Sequence, residues 1–145
     1  MLSKQQFGDL AQELRREGGF SVNVHTGERP SSGTMVSDPR GERKAPLAQT
    51  HGPDIEDYAR THAQHLRGEN RFLGGWKEGG TAYLDRSTRY REGEESRAYV
   101  HMVTNRQKAA YNLTQDAEIT NPARQGRYDV SEEKAMRRMR GENVA

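Results

Sequence analysis

The segment Tyr83–Tyr90 carries more chemically versatile side chains than the segments around it. Its residue types are typical of a strand, and successive strand side chains point to opposite sides of a sheet. One side of this strand therefore presents a polar row, formed by Tyr83, Asp85, Ser87 and Arg89. The other side presents Arg86 and Thr88. A row of hydroxyl, carboxylate and guanidinium groups is a candidate ligand surface.

Two interpretations of this row are open. The guanidinium of Arg89 and the hydroxyls of Ser87 and Thr88 can hold a phosphate or a ribose through charge-assisted hydrogen bonds. The alternative is an exposed edge strand in which Asp85 caps a turn, because polar strand ends are ordinary on protein surfaces. We favour the second interpretation, while the first makes these residues candidate ligand contacts.

A second group of candidates lies near the end of the helix predicted over residues 94–108. Asn105 and Gln107 can bond the free carbonyl groups at that helix end, which explains them structurally, or they can contact a ligand. His101, one turn earlier, is a candidate general base. The predicted ligand-binding residues are Tyr83, Asp85, Ser87, Thr88, Arg89, His101, Asn105 and Gln107.

Two histidines, His62 and His65, stand three residues apart on a predicted helix, a spacing that can ligate a metal. A metal site needs further ligands from other elements, so we assign the first to the apolar stripe of the helix and the second to its edge. The chain has no cysteine, which excludes disulfides, thiolate metal sites and cysteine nucleophiles. No phosphate-loop, nucleophile-elbow or zinc-protease motif occurs. We therefore predict neither a metal nor a cofactor.

The elements that must position these residues begin with a well-marked helix. Ser3 and Gln6 are spaced as a capping box. An apolar stripe runs from Phe7 to Leu14 at helical spacing, and Gly18 is placed to end the helix. The first helix is the most secure element of the N-terminal third.

Strand and loop signals follow that helix. Residues 20–24 alternate as a strand, and residues 34–37 predict a second strand that pairs with the first in a hairpin. Residues 38–52 contain two prolines and few apolar side chains, which predicts a long loop. A proline in the first turn marks a second helix over residues 52–67.

The middle of the chain is the clearest part. Residues 72–90 predict a hairpin whose turn is Glu78-Gly79-Gly80, because paired glycines suit a tight reversal. A helix over 94–108 and a strand over 109–113 follow. From residue 114 the apolar pattern fades, and Ser131 is placed to begin a short basic helix in the C-terminal tail.

Composition limits the size of the core. Hydrophobic residues make up 31% of the 145 residues and charged residues 30%. No segment has the length and apolar character of a membrane span or a signal peptide. We predict an α+β fold, with a small, mainly antiparallel sheet and three helices packed on it. One domain covers residues 1–120, and a C-terminal tail with the basic helix covers residues 121–145.

Several short motifs together resemble a known class of proteins. These motifs are Gly19–Asn23, Thr26-Gly27, Gly33–Ser37, Phe72–Trp76, Tyr83–Ser87 and Asn105–Leu113. Over about residues 19–113 the chain resembles small proteins and fused modules of tailed phages and prophages, most closely those of actinobacterial viruses. The resemblance implies a viral origin, with which the 18 arginines against 5 lysines agree. It implies no catalytic residue.

Three functions are open. The favoured one is a non-enzymatic binding module encoded by a phage, which engages a host or virion protein through Tyr83–Tyr90 and the predicted loop 38–52. Such a protein would act in the cytoplasm of the bacterial host or on the virion. Nucleic acid is a weaker candidate partner, and no membrane partner is expected.

The second function is a small metal-free ribonuclease or a toxin-like nucleotide-processing enzyme. Such enzymes combine a base, a cationic group for the phosphate and a nearby hydroxyl. The chain supplies these groups at His25, His51, His101, Arg86, Arg89, Ser87 and Tyr111. The third function is an anti-defence protein that binds a nucleotide signal through the same strand without turnover.

Overall fold

The computed structural model describes residues 1–107 and 109–121, which form three α-helices and six strands. The helices are α1 (Lys4–Glu17), α2 (Gly52–Thr61) and α3 (Glu95–Thr104), and a 3-10 turn spans Leu47–Gln49. The strands are β1 (Gly19–Val22), β2 (Thr34–Pro46), β3 (Arg71–Glu78), β4 (Thr81–Tyr90), β5 (Ala109–Asn112) and β6 (Ala117–Thr120). The predicted α+β class is confirmed. The predicted C-terminal helix lies outside the described residues.

The six strands form one sheet in the order β1-β3-β4-β2-β5-β6, and every neighbouring pair is antiparallel. The hairpin β3–β4 turns at Gly79-Gly80, as predicted, and Gly79 has the positive φ of 58° that favours glycine there. β4 lies between β3 and β2. The interpretation of Tyr83–Tyr90 as an exposed edge strand is therefore wrong, because both edges of this strand are paired.

β2 is much longer than the sequence predicted. It pairs with β4 in one register from Thr34 to Asp38 and in another from Arg43 to Pro46, with an irregularity between them. The breaker residues that favoured a loop over 38–52 fall largely within that irregularity, where a missing N–H or side chain is tolerated. The loop prediction is wrong for this reason.

The predicted hairpin between residues 20–24 and 34–37 is also wrong. β1 pairs with β3 at the edge of the sheet, with Phe20 opposite Gly75. A Cβ at Gly75 would overlap the Phe20 ring, so glycine is what lets this ring lie flat on the strand. At the other edge β6 was not predicted, because its side chains are exposed or half-buried and carry no apolar alternation.

The first two helices differ in how well the sequence defines them. In α1 the Ser3 hydroxyl accepts from the Gln6 N–H at 3.1 Å and the Ser3 N–H donates to the Gln6 side chain at 2.8 Å, which confirms the capping box. Gly18 ends α1 with φ of 91°, as predicted. α2 begins at Gly52 but ends at Thr61, so the predicted end near residue 67 is wrong. Residues 62–66 form turns instead.

All three helices pack on the same face of the sheet, which we call the helix face. The main core there joins α1, α2, β1, β3 and β4 through Phe7, Leu10, Leu14, Phe20, Val22, Ile55, Tyr58, Leu73 and Leu84. α3 packs Ala98 and Met102 on Val36 of β2. Val36 lies opposite Thr88, which alternates with Leu84 along β4, so both cores lie on one side.

We call the opposite side of the sheet the second face. Its apolar residues are buried too. Met35, Phe72 and Tyr111 form one cluster on it. Trp76 stacks on Tyr83 with ring centroids 4.0 Å apart. The polar row predicted on β4 shares this face.

Candidate functional site

A cleft of about 440 Å³ opens on the helix face, between the turns after α2 and helix α3. It is lined by Asp38, Arg40, His65, Arg71, Arg86, Ser87, Thr88, Tyr90 and His101. Strand β4 supplies Arg86, Ser87, Thr88 and Tyr90 to the lining, and Arg86, Thr88 and Tyr90 alternate on the helix face. The same alternation places Ala82 and Leu84 in the main core. On the helix face, β4 is apolar at Ala82 and Leu84 and polar from Arg86 onward. The cleft begins at this change.

Arg86 is the centre of the cleft's charge network. Its Nε and Nη2 donate to Asp38 Oδ2 at 3.1 and 2.7 Å. Its Nη1 lies 2.9 Å from His62 Nδ1, which must accept because a guanidinium only donates. Burial and the neighbouring Arg86 lower the pKa of His62. Burial opposes ionisation of Asp38, but hydrogen bonds from Arg86 and Arg40 outweigh it and lower the Asp38 pKa.

The irregular part of β2 holds Arg86 in place from the outside. A Cβ on Gly41 would lie 2.7 Å from Arg86 Nε and 2.9 Å from its Cδ, so only glycine allows this approach. The buried Tyr58 hydroxyl donates to the Gly41 carbonyl at 2.6 Å, and the Tyr58 ring stacks on His62 with centroids 4.2 Å apart. Helix α2 thus fixes both the backbone and the histidine that flank the guanidinium.

Two further arginines border the cleft with donors to spare. Arg40 donates through Nε to Asp38 at 3.1 Å and through Nη2 to Asn105 Oδ1 at 3.2 Å. Arg71, the first residue of β3, is exposed. Within the part of the chain that the structure describes, its guanidinium makes no short hydrogen bond to a side chain. Both groups can therefore turn N–H donors to a bound molecule.

A tyrosine–histidine pair closes the α3 side of the cleft. The Tyr90 hydroxyl lies 2.9 Å from His101 Nδ1, and the two rings meet edge to face with centroids 5.6 Å apart. Burial, followed by the charge of Arg71, lowers the His101 pKa. The imidazole is therefore more readily neutral near pH 7 than a free histidine, which suits hydrogen bonding or proton transfer.

A shallower groove of about 460 Å³ adjoins the cleft along α3. It is lined by Tyr90, Ser96, Arg97, Val100, His101, Thr104 and Asn105. Tyr90 and His101 line both concavities. The Arg97 guanidinium lies over the Tyr90 ring at 5.9 Å from its centroid.

The predicted site residues are divided between the two sides of the sheet. Thr88 and His101 line the cleft, Asn105 lines the groove, and Gln107 contributes its backbone carbonyl to a hydrogen bond from Asn121 at 2.8 Å. The polar row lies on the second face and is buried. It comprises Tyr83, Asp85, Ser87 and Arg89, each at most 9% exposed. The expectation that this row faces water is wrong, although Ser87 also borders the cleft.

Arg89 shows what holds part of this row. Its guanidinium donates to both carboxylate oxygens of Glu28 at 2.5 and 3.1 Å, to Asn70 Oδ1 at 3.2 Å and to the Glu69 carbonyl at 3.2 Å. It also lies 4.8 Å above the Phe72 ring centroid. These contacts join the loops before β2 and β3, so Arg89 ties the fold together. On the same face the Ser87 and Ser37 hydroxyls lie 3.2 Å apart.

The remaining residues of the ribonuclease hypothesis do not meet in the cleft. His51 precedes α2, where its backbone N–H donates to Asp54 at 2.8 Å, and His25 is exposed in the turn after β1. Tyr111 is buried on the second face and its hydroxyl bonds Asp116. Of that set, His101, Arg86 and Ser87 border the cleft.

Four cleft residues were not named individually as site residues from the sequence: Asp38, Arg40, Arg71 and Tyr90. The first two fell in the predicted loop 38–52 and Tyr90 in the segment Tyr83–Tyr90, both of which were predicted contact surfaces, whereas Arg71 belonged to neither. A usable signal existed on β4, since the apolar Ala82 and Leu84 mark one side of the strand as the core side. Arg86, Thr88 and Tyr90 follow on the same side of the strand, and their polarity marks where the helices no longer cover it.

The described residues contain no group of three or more side chains placed to hold a metal ion. The structure also shows no helix, over the same residues, that is long and apolar enough to span a membrane. Comparisons of the chain with protein-family models, with curated proteins and with solved structures found no match.

Proposed function

We propose that this protein binds a phosphate-bearing small molecule in the cleft on the helix face, without transforming it. The observation that carries the proposal is the charge of the described lining residues, in which the three arginines Arg40, Arg71 and Arg86 face the single carboxylate of Asp38. Guanidinium groups bind phosphate oxygens in a two-pronged geometry.

The donors that such a ligand needs are present. Arg86 uses one N–H each from Nε, Nη1 and Nη2 within the described network, and Arg40 uses one each from Nε and Nη2. Each guanidinium carries further N–H groups, and Arg71 adds a third cation at the cleft border. The Thr88 hydroxyl supplies a neutral donor on the floor. The cleft thus offers a central, largely buried arginine and two exposed ones.

The biological setting of this proposal comes from the sequence. The resemblance to phage proteins supports an accessory protein that acts in the bacterial host or on the virion. If the protein acts there, its ligand is a metabolite of the infected cell. The host or virion protein partner predicted from the sequence remains a second prediction, independent of the cleft.

A second candidate function, metal-free cleavage of a phosphodiester, is favoured by one observation. His101 borders the cationic cleft and contacts the Tyr90 hydroxyl, a combination that can move a proton. Incubation of RNA with the wild-type protein and with His101→Gln tests it. Cleavage that the variant abolishes would replace the binding proposal with an enzymatic one.

Calorimetric titration with inorganic phosphate and pyrophosphate tests the binding proposal. We expect saturable binding, and Arg71→Gln should weaken it about tenfold because it removes a charge-assisted hydrogen bond. Arg67→Gln is the matched control, since Arg67 is exposed on the same connection and does not line the cleft. If neither anion binds at millimolar concentration, or if both variants weaken binding equally, the cleft is not a phosphate site.

A further inference from the structure

We infer that the ligand is a nucleoside phosphate, with its phosphate in the cationic cleft and its base in the adjoining groove along α3. This inference rests on the proposed function and names the ligand class. Its starting point is the continuity of the two concavities, because Tyr90 and His101 line both. Together they fall within the roughly 300–1,000 Å³ that is typical of small-molecule sites.

The two halves differ in chemistry. The cleft has the three arginines already described, whereas the groove is lined by Val100, by the rings of Tyr90 and His101 and by one arginine, Arg97, whose guanidinium lies over the Tyr90 ring. Val100 is 62% exposed, and the neighbouring Val103 is 37% exposed. A ligand that fills both halves therefore needs an anionic end and a flat, weakly polar end. A nucleobase linked to a phosphate through a ribose has this distribution.

The groove also carries groups that can read the edge of a base. Ser96 and Thr104, which carry hydroxyls, and Asn105, which carries an amide, line it. The Asn105 Oδ1 accepts from Arg40 at 3.2 Å, so its NH₂ group points elsewhere and can donate to a ring nitrogen or carbonyl. Hydrogen bonds to base edges, combined with stacking on aromatic rings, are the usual means by which proteins bind unpaired bases.

The Arg40–Asn105 hydrogen bond links the two halves directly. Arg40 lines the cleft and Asn105 lines the groove. A phosphate that draws the Arg40 guanidinium inward and a base that contacts Asn105 therefore act on one shared pair. The geometry favours a ligand with both groups over a sugar phosphate, which would leave the apolar part of the groove empty.

The test compares ribose 5-phosphate with the four common nucleoside 5′-monophosphates by calorimetry. We expect at least one nucleotide to bind about 5- to 150-fold more tightly than ribose 5-phosphate, which is the range that base stacking on an aromatic side chain provides. Val100→Ser should reduce this ratio. Val103→Ser, on the same helix but outside the groove lining, should leave it unchanged. Circular dichroism confirms that both exposed-site variants are folded.

The outcomes separate the two levels of inference. If ribose 5-phosphate and every nucleotide bind equally, the base site is overturned while the phosphate site stands. If a nucleotide is preferred but Val100→Ser keeps the full ratio, the base does not lie in the groove and the inference fails. If no phosphorylated compound binds, the proposed function itself fails.

Discussion

Arg86 and Arg89 stand three positions apart on β4, and each donates two hydrogen bonds to a carboxylate, yet their surroundings differ. The Arg89 side chain is 2% exposed and is enclosed by Glu28, Asn70 and the Phe72 ring. The Arg86 side chain is 12% exposed and borders an open cleft. One strand therefore presents a structural arginine on the second face and a cleft-lining arginine on the helix face.

Polarity along a strand therefore does not reveal which side of it is available to a ligand. The second-face row looked like a binding surface because it held several polar groups, but those groups are buried. On the helix face, the helices cover Ala82 and Leu84 and leave the positions from Arg86 onward open. Coverage by other elements, rather than residue type, decides the role of each arginine.

Removing the carboxylate that pairs with Arg89 should cost the molecule the most stability. Glu28→Gln leaves the buried Arg89 guanidinium without its counter-ion; because the Glu28 side chain is 42% exposed and solvent screens the pair, we expect a loss of about 2 kcal/mol in the free energy of unfolding. Glu13→Gln is the matched control, because Glu13 makes a similar two-pronged pair with the half-exposed Arg29 at 2.7 and 2.8 Å. It should cost at most about 1 kcal/mol. Urea unfolding measures both, and equal losses would contradict the structural role of Arg89.

The same change on the helix face should affect binding as well as stability. Asp38→Asn removes the one carboxylate among the described cleft residues, so we expect phosphate affinity to rise about fivefold while stability falls by about 1–2 kcal/mol. Asp57→Asn, which removes the exposed partner of Arg43, should change neither quantity appreciably. A fall in phosphate affinity on Asp38→Asn would mean that Asp38 serves mainly to orient Arg86.

The smallest effect is a difference in pH response between the two faces. Because the pKa of His101 is lowered in the folded protein, the unfolded chain binds more protons than the folded one as pH falls through 6.5. The stability that the neutral His101 contributes is therefore lost at a higher pH than the contribution of Glu28. Glu28, whose pKa is lowered chiefly by its hydrogen bond from Arg89, contributes stability that is lost only as pH falls below 4.5.

Thermal melts between pH 7.5 and 4 test this order. His101→Gln should reduce the decline in melting temperature between pH 7 and 5 and leave the steeper loss at lower pH in place. His25→Gln, at an exposed position, should follow the wild-type curve throughout. An unchanged profile for His101→Gln would show that this histidine does not contribute to the pH dependence.

Local signals in the sequence predicted local structure well. The capping box at Ser3, the Gly79-Gly80 turn and the apolar stripe of α1 each depend on residues close together in the chain, and all are confirmed. Strand partners could not be predicted in this way. β1 pairs with β3 about fifty residues later, and nothing in either segment specifies the other.

The site was predicted only in part for the same reason. His101, Thr88 and Asn105 were named from their own types and positions. Asp38 reaches the cleft because it pairs with Arg86 at the end of the first β2–β4 register, and Arg40 follows in the irregular part of β2. A pattern of prolines and glycines resembles a loop until that pairing is known. The choice between the two sides of β4 depended on where α1, α2 and α3 pack, which is a property of the assembled fold.

The strand order also governs how this molecule can be made on the ribosome. β2 pairs with β4 and β5, and β1 pairs with β3, so the first two strands emerge before any of their partners has been synthesised. The nascent chain must carry these unsatisfied edges until the β3–β4 hairpin emerges and inserts between them. Distant pairings of this kind slow folding, and a chain arrested before residue 71 lacks every strand that β1 and β2 need.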